Sequence, residues 1–159
     1  MFAQAAPAEF KPRTAIALDA LENPIVVKAL SVWNAVRGGR DFPTKADLTP
    51  RAMLGFLKYT ALLRVLDEDY VFRVVGDQIT IQQGAQLQGK TTAEIDRVLP
   101  GHGSVLKRIY DGVLKARAPL AFRGWYLRPA DRHPFCHEVV ILPVSEDGLT
   151  IDHLFVVAA

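Results

Sequence analysis

Histidine is the residue type in this chain best suited to chemistry, because a neutral imidazole can ligate a metal or haem and can carry a proton. The four histidines are His102, His133, His137 and His153. No cysteines or carboxylates stand near them at a familiar metal-ligand spacing. We therefore predict no metal site and interpret the histidines as surface or structural residues. The alternative is haem binding, and His102, beside a predicted helix, would then be the ligand.

A second group contains Cys136, His137 and Glu138, which have the residue types of a thiol, a base and an orienting carboxylate. These residues fall in a predicted strand, where neighbouring side chains point to opposite faces. Cys136 and His137 are therefore badly placed to share a proton, and we predict a buried structural cysteine. A small hydrolase or isomerase remains an alternative only through His137, Glu138, Asp152 and His153.

Two short patterns bear on nucleotide binding. Gly84 and Gly89 lack the lysine and hydroxyl residues that complete a phosphate-binding loop, so we interpret them as turn residues. Arg128 and Asp131 have the Arg-x-x-Asp spacing of some cyclic dinucleotide sites, but they lie in a predicted turn. Cyclic dinucleotide binding is kept as an alternative.

Aromatic residues are concentrated in two neighbouring predicted strands: Phe122, Trp125, Tyr126 and Phe135. Each of them either packs in the core or belongs to an exposed patch, where large rigid rings bury much area on binding. The sequence leaves both readings open for each residue.

The length and composition indicate one globular domain. The chain has 159 residues, of which 50% are hydrophobic and 23% are charged, as in an ordinary packed protein. Nineteen Lys and Arg against seventeen Asp and Glu give a formal net charge of +2, without a basic block. Nucleic-acid binding is therefore not predicted.

Cys136 is the single cysteine of the chain, which excludes an intramolecular disulfide and favours a reducing compartment. The first ten residues lack the basic start and apolar run of a signal peptide. No apolar stretch approaches the roughly 20 residues that span a bilayer. We predict a cytoplasmic protein without a transmembrane segment.

The predicted elements begin after an N-terminal arm, residues 1–22, which we expect to be partly flexible; a single domain follows over residues 23–159. Asn23 and Pro24 provide a cap and a first helical residue, and the helix then runs to Arg37. A second, short helix is predicted from Thr49 to Leu57.

The rest of the chain is predicted to be mainly strands. A hairpin is expected over residues 59–75, short helices and turns over 77–99, and a longer helix over 104–116. Three strands follow over 120–128, 135–144 and 149–157 and should pair as an antiparallel meander. This order predicts an α+β, PAS-like fold: a five-stranded antiparallel sheet with helices packed on one face.

The chain also resembles a bacterial family of stand-alone PAS-like domains, the PAS_5 type, formerly a domain of unknown function. The resemblance is carried by Trp33, Arg37–Arg40, Pro43, Asp47, Pro50, Tyr70–Arg73, Val75–Gly76, Gly84–Gly89, Leu142–Pro143 and Asp147–Gly148. Lys45, Thr49 and Asp77 depart from the residues usual in that family.

The resemblance implies a PAS fold and a non-catalytic signalling or adaptor role through protein contact, with a protein partner or a homodimer, in bacterial cell-cycle or motility control. The expected interaction or structural positions are Trp33, Arg37, Arg40, Arg73, Trp125 and Tyr126. We predict no cofactor and no catalytic residue. The alternative is a sensor that binds a metabolite, lipid, haem or cyclic dinucleotide in or on the PAS core.

Overall fold

Runs of apolar and β-branched residues form the strands of this protein, in keeping with their preference for a pleated, half-buried surface. The computed structural model describes residues 13–128 and 130–159. Its strands are β1 (Thr14–Ile16), β2 (Thr60–Val65), β3 (Tyr70–Val75), β4 (Leu120–Leu127), β5 (Pro134–Val144) and β6 (His153–Ala158). They form one sheet in the order β1-β4-β5-β6-β2-β3, with antiparallel pairing throughout. The predicted hairpin and the predicted meander are both present.

Four α-helices are present in the described residues: α1 (Pro24–Arg37), α2 (Asp77–Gln83), α3 (Thr92–Val98) and α4 (His102–Ala116). Helix α1 begins as predicted, because the Asn23 side chain accepts hydrogen bonds from the backbone amides of Ile25 and Val26. It ends at Gly38, whose φ of 58° lies in the region that glycine favours.

The helices pack on both faces of the sheet. Along β5, neighbouring side chains alternate: His137 faces α2 and α4 across a cavity, whereas Glu138 accepts hydrogen bonds from the residues that precede α1. Val140, the next residue on the Glu138 face, is fully buried. The α+β, PAS-like fold class is confirmed, but α1 covers the face opposite to the other helices. Placing all helices on one face was wrong because both faces of β5 are apolar and need cover.

The sheet has six strands where five were predicted. The additional strand, β1, pairs with β4 through Thr14 to Ile16 and lies within the segment expected to be an arm. Residues 1–12 of that arm lie outside the described residues, so the division between arm and domain stays a prediction.

The short helix predicted from Thr49 to Leu57 does not form. The Thr49 hydroxyl accepts a hydrogen bond from the Ala52 amide, at 3.1 Å, as a helix cap would. Gly55 then adopts a φ of 95°, which is incompatible with a continuing α-helix. Turns and a 3-10 segment, Leu57–Tyr59, take its place.

Gly103 allows α3 and α4 to pack closely, and we expect Gly103→Ala to destabilise the protein. A Cβ atom there would lie 1.9 Å from the Thr92 carbonyl oxygen and 2.9 Å from an Asp96 carboxylate oxygen. Because the first of these is a backbone atom, the helices must separate. We expect the free energy of unfolding to fall by about 2–3 kcal/mol, measured by urea denaturation.

Gly112→Ala is the matched control in the same helix. Its Cβ would meet only Leu120 Cδ1, at an ordinary 3.6 Å. Alanine is a better helix former than glycine by about 0.5–1 kcal/mol, so this variant should be neutral or more stable. Equal destabilisation by the two substitutions would contradict the close approach at Gly103.

Candidate functional site

The candidate site is a cavity of about 50 Å³ between the sheet and helices α2 and α4. Its walls are mostly apolar: Phe72, Ile79, Leu106, Ile109, Val139 and Ile141. Drug-sized ligands occupy pockets of roughly 300–1,000 Å³, whereas this cavity has room for about four water-sized groups. A cavity of this volume fits a small molecule.

Arg13 brings a positive charge to the cavity. Its backbone amide donates to the Trp125 carbonyl at 3.0 Å, and its half-buried guanidinium stands 5.6 Å from the centre of the Tyr126 ring. No Asp or Glu in the described part of the chain forms an ion pair with it. Burial lowers the pKa of the Arg13 guanidinium below its usual value, yet arginine stays charged in proteins. The cavity thus contains a cation that no described carboxylate neutralises.

His137 contributes a buried imidazole to the same cavity. The side chain comes from β5, the residue is only 7% exposed, and its ring stacks on Tyr126 with centroids 4.5 Å apart. Burial, helped by the charge of Arg13, lowers the pKa of His137 to about 4. Its Nδ1 atom is buried and has no partner at hydrogen-bonding geometry among the described residues. A neutral ring with a free nitrogen therefore borders the cavity.

His102 is engaged by another side chain. It begins α4, and its Nε2 lies 2.5 Å from Oε1 of Gln83, which also lines the cavity. Burial and the nearby Arg13 lower the pKa of His102 to about 4, although Asp96 acts in the opposite direction. Because Gln83 occupies its Nε2, His102 is in a structural hydrogen bond and is not poised as a haem ligand.

Tyr126 forms one side of the site. Its hydroxyl donates to the Gln82 carbonyl oxygen at 2.6 Å, which ties β4 to α2. Its ring stacks on Phe135 at 5.9 Å, as well as on His137. Burial raises the pKa of Tyr126 and of Tyr110, a further cavity residue, so both hydroxyls are neutral at ordinary pH. Tyr126, a predicted site residue, therefore lies in the site, whereas Trp125 is half-buried on the same strand.

The residues considered for catalysis are not brought together. Cys136 is exposed, so predicting a buried cysteine was wrong: its neighbour His137 takes the inward position, and the strand turns Cys136 outward. His137 and Glu138 face opposite sides of the sheet. His153 Nδ1 does lie 2.7 Å from Asp152 Oδ1, but this pair sits outside the cavity.

Three of the predicted site residues form a cluster at the end of α1. Trp33 is buried, and its Nε1 donates to the Pro143 carbonyl at 2.9 Å. The Arg37 guanidinium lies 5.2 Å from the Trp33 ring. Arg40 donates to the Val36 carbonyl at 2.8 Å, which satisfies the end of the helix. These contacts are structural, and an interaction role for the cluster stays a prediction.

Arg73 lies apart from that cluster. It is exposed on β3, next to Phe72, whose side chain lines the cavity. Its guanidinium forms no ion pair within the described residues. An interaction role for Arg73 also stays a prediction.

The Arg-x-x-Asp segment has a local explanation. Arg128 Nε donates to Asp131 Oδ1 at 2.6 Å, and a second bond joins Arg128 Nη2 to Asp131 Oδ2. The guanidinium lowers the pKa of Asp131 to about 2. The two side chains satisfy each other across the turn, so neither is available for a cyclic dinucleotide without breaking this pair.

The described residues contain neither a metal-binding cluster nor a membrane-spanning helix. They contain no group of three or more His, Cys, Asp or Glu side chains arranged to hold a metal ion. None of their helices combines the length and the apolar character needed to cross a membrane.

Comparison with known proteins places the chain in a family. No curated protein matches it. Among solved structures, it is similar to a sensory box sensor histidine kinase from Vibrio cholerae, with 25% identity and a TM-score of 0.44, over 72% of this chain and 90% of that one. The profile of the PAS_5 family, described as a PAS domain, matches residues 22–156. That match covers most of the sequence, and the chain belongs to the PAS_5 family of PAS domains.

Proposed function

We propose that this PAS domain is a non-catalytic sensor, which binds a small ligand in its core cavity and passes the signal on by contact with another protein. Membership of a PAS family makes the chain a signalling domain. The observation that favours ligand sensing is the cavity itself, where an apolar wall surrounds a guanidinium and an imidazole nitrogen that have no ion-pair or hydrogen-bond partner among the described residues. Polar groups converging in an apolar pocket are typical of ligand sites.

The absence of catalysis is part of this proposal. Enzymatic acid–base chemistry requires a nucleophile or base within hydrogen-bond reach of its partner. In the described residues, no carboxylate is hydrogen-bonded to Nδ1 of His137, and Cys136 faces away from the ring. The site can hold a molecule, but it has no matched pair of groups to transform one.

Protein contact is supported by exposed apolar side chains near the start of α2. Leu57 and Val74 are 44% and 50% exposed, and they border the same shallow surface depression. Exposed apolar groups of this kind are a common feature of partner surfaces. Two points stay predictions: that the partner is a second copy of this chain or another protein, and that the protein acts in cell-cycle or motility control.

Native mass spectrometry of the full chain purified from its own host tests the sensor. We expect a stoichiometric small mass in the native spectrum that is absent after denaturation. Ala158→Val, which adds bulk to the cavity wall, should reduce that mass, whereas Ala35→Val on the exposed face of α1 should retain it. An empty native protein that appears as a dimer or with a bound chain would instead favour an adaptor that needs no ligand.

A further inference from the structure

We propose that the ligand of this cavity is a short monocarboxylate, whose carboxylate pairs with Arg13 and whose apolar end lies against the cavity wall. This inference rests on the proposed sensor function and adds the chemical class of the ligand. Three independent features of the site carry it: an unpaired cation, a free hydrogen-bonding atom and the size of the cavity.

The unpaired cation is the first feature. A charge removed from water is costly unless it is paired or hydrogen-bonded. Arg13 is half-buried at the cavity, its guanidinium lies near the face of Tyr126, and it forms no ion pair with a described residue. Arg40 and Arg128, by contrast, pair with the carboxylates of Asp47 and Asp131. An anion is the missing partner, and a carboxylate matches the planar two-pronged guanidinium.

The second feature is Nδ1 of His137. Its residue is 7% exposed, and the atom has no hydrogen-bond partner in the described part of the chain. Unpaired buried polar atoms are rare in folded proteins and call for an explanation such as a bound molecule. A neutral imidazole with its proton on Nδ1 donates one hydrogen bond, which a carboxylate oxygen accepts.

The third feature is the size and charge of the cavity. About 50 Å³ accommodates about four or five non-hydrogen atoms, and the wall beyond the polar groups is formed by Phe72, Leu106 and Val139. Among the described residues that line it, Arg13 is the single charged side chain, since burial lowers the pKa of His137 to about 4. One negative charge is therefore balanced and a second is not, which disfavours dicarboxylates and the doubly charged form of phosphate and favours ligands such as acetate and propionate.

Thermal unfolding with sodium propionate tests the inference on the full chain. Propionamide has nearly the same shape without the charge, and sodium chloride matches the ionic strength. So small a ligand binds no more tightly than about the micromolar range, so the titration must extend to tens of millimolar. At about a hundredfold excess over Kd we expect Tm to rise by about 5 °C with propionate and not with propionamide.

Arg13→Gln separates the binding role of Arg13 from a structural one. Because it removes an unpaired charge, the variant should be at least as stable as the parent protein without ligand. It should also lose at least about tenfold in propionate affinity. Arg73→Gln is the matched control, because it removes an exposed, unpaired arginine from outside the cavity and should retain the full response.

The outcomes distinguish this inference from the sensor function. An equal response to propionamide, a response that survives Arg13→Gln, or no response to propionate beyond that to sodium chloride overturns the carboxylate assignment. If native mass spectrometry then still shows a small mass that Ala158→Val removes, the sensor function stands with a different ligand class. If that mass is also absent, both proposals fail.

Discussion

Replacing Glu138 with alanine is expected to lower the free energy of unfolding by about 3 kcal/mol. The buried Glu138 carboxylate accepts hydrogen bonds from the backbone amides of Glu22, at 3.0 Å, and Asn23, at 2.6 Å. Arg123 stands 3.5 Å from it and also donates to the Ala20 carbonyl oxygen. Hydrogen bonds to a charged acceptor contribute about 1.5–3 kcal/mol each. After the substitution, the two backbone amides have lost their acceptor and can bond only to water.

Chemical denaturation of two further variants checks this interpretation. Glu138→Gln keeps one acceptor oxygen and loses the charge, so it should fall between the parent protein and the alanine variant. Glu146 accepts a hydrogen bond from the Lys45 amide at 2.8 Å, likewise across a long stretch of sequence, but it is exposed. Glu146→Ala should therefore cost less than about 1 kcal/mol. Equal effects at the two glutamates would show that burial of Glu138 contributes nothing.

Glu138 also shows what a sequence alone cannot specify. As a residue beside a histidine and a cysteine it suggested chemistry, yet its function in the fold is to hold the start of α1 against the sheet. Its partners are backbone amides 115 and 116 residues away. The residue types along the sequence do not indicate which backbone amides a distant side chain will bind. The alternation rule did separate His137 from its neighbours, because side-chain direction along a strand is a local property.

Local signals predicted most of the elements for the same reason. The Asn23–Pro24 cap and the Asp67–Asp69 turn each act within a few residues, and each bounds an element at the predicted place. The Gly148 turn does separate the last two strands, but β6 begins at His153 and not at the predicted residue 149. The predictions failed where contacts between segments that are distant in the sequence determine the structure. Helix α1 has an apolar face that could cover either side of the sheet, and only the tertiary structure selects the side.

Arg13, the proposed ligand-binding residue, is the one that sequence reasoning missed. Its surroundings are rich in proline and small residues, which favoured an arm, and β1 is only three residues long. Pairing of Thr14 with Arg123 places the preceding residue at the cavity. The periodicity of the sequence does not predict a pairing between segments over 100 residues apart. A single arginine two residues before the apolar Ala15 and Ile16 was the available signal, and it is too weak to interpret without the fold.

The largest expected effect is at Trp33, where alanine should lower the free energy of unfolding by about 3–5 kcal/mol. The ring is 4% exposed in the layer between α1 and the sheet, and its Nε1 donates to the Pro143 carbonyl of β5. The substitution therefore removes a large packing contribution and also leaves the Pro143 carbonyl without its partner. Urea denaturation measures the loss.

Phenylalanine at position 33 separates the two contributions, since it keeps most of the packing and loses the hydrogen bond, at an expected cost of about 1–2 kcal/mol. Arg37→Ala removes the guanidinium 5.2 Å from the ring, a partly exposed cation–π contact worth about 0.5–1 kcal/mol. If Trp33 has a structural role, the loss of stability should be largest for Trp33→Ala, smaller for the phenylalanine variant and smallest for Arg37→Ala. If Trp33→Ala instead unfolds at the same urea concentration as the parent protein and loses dimer or partner binding, the residue serves an interface, and α1 is attached to the sheet mainly through Glu138.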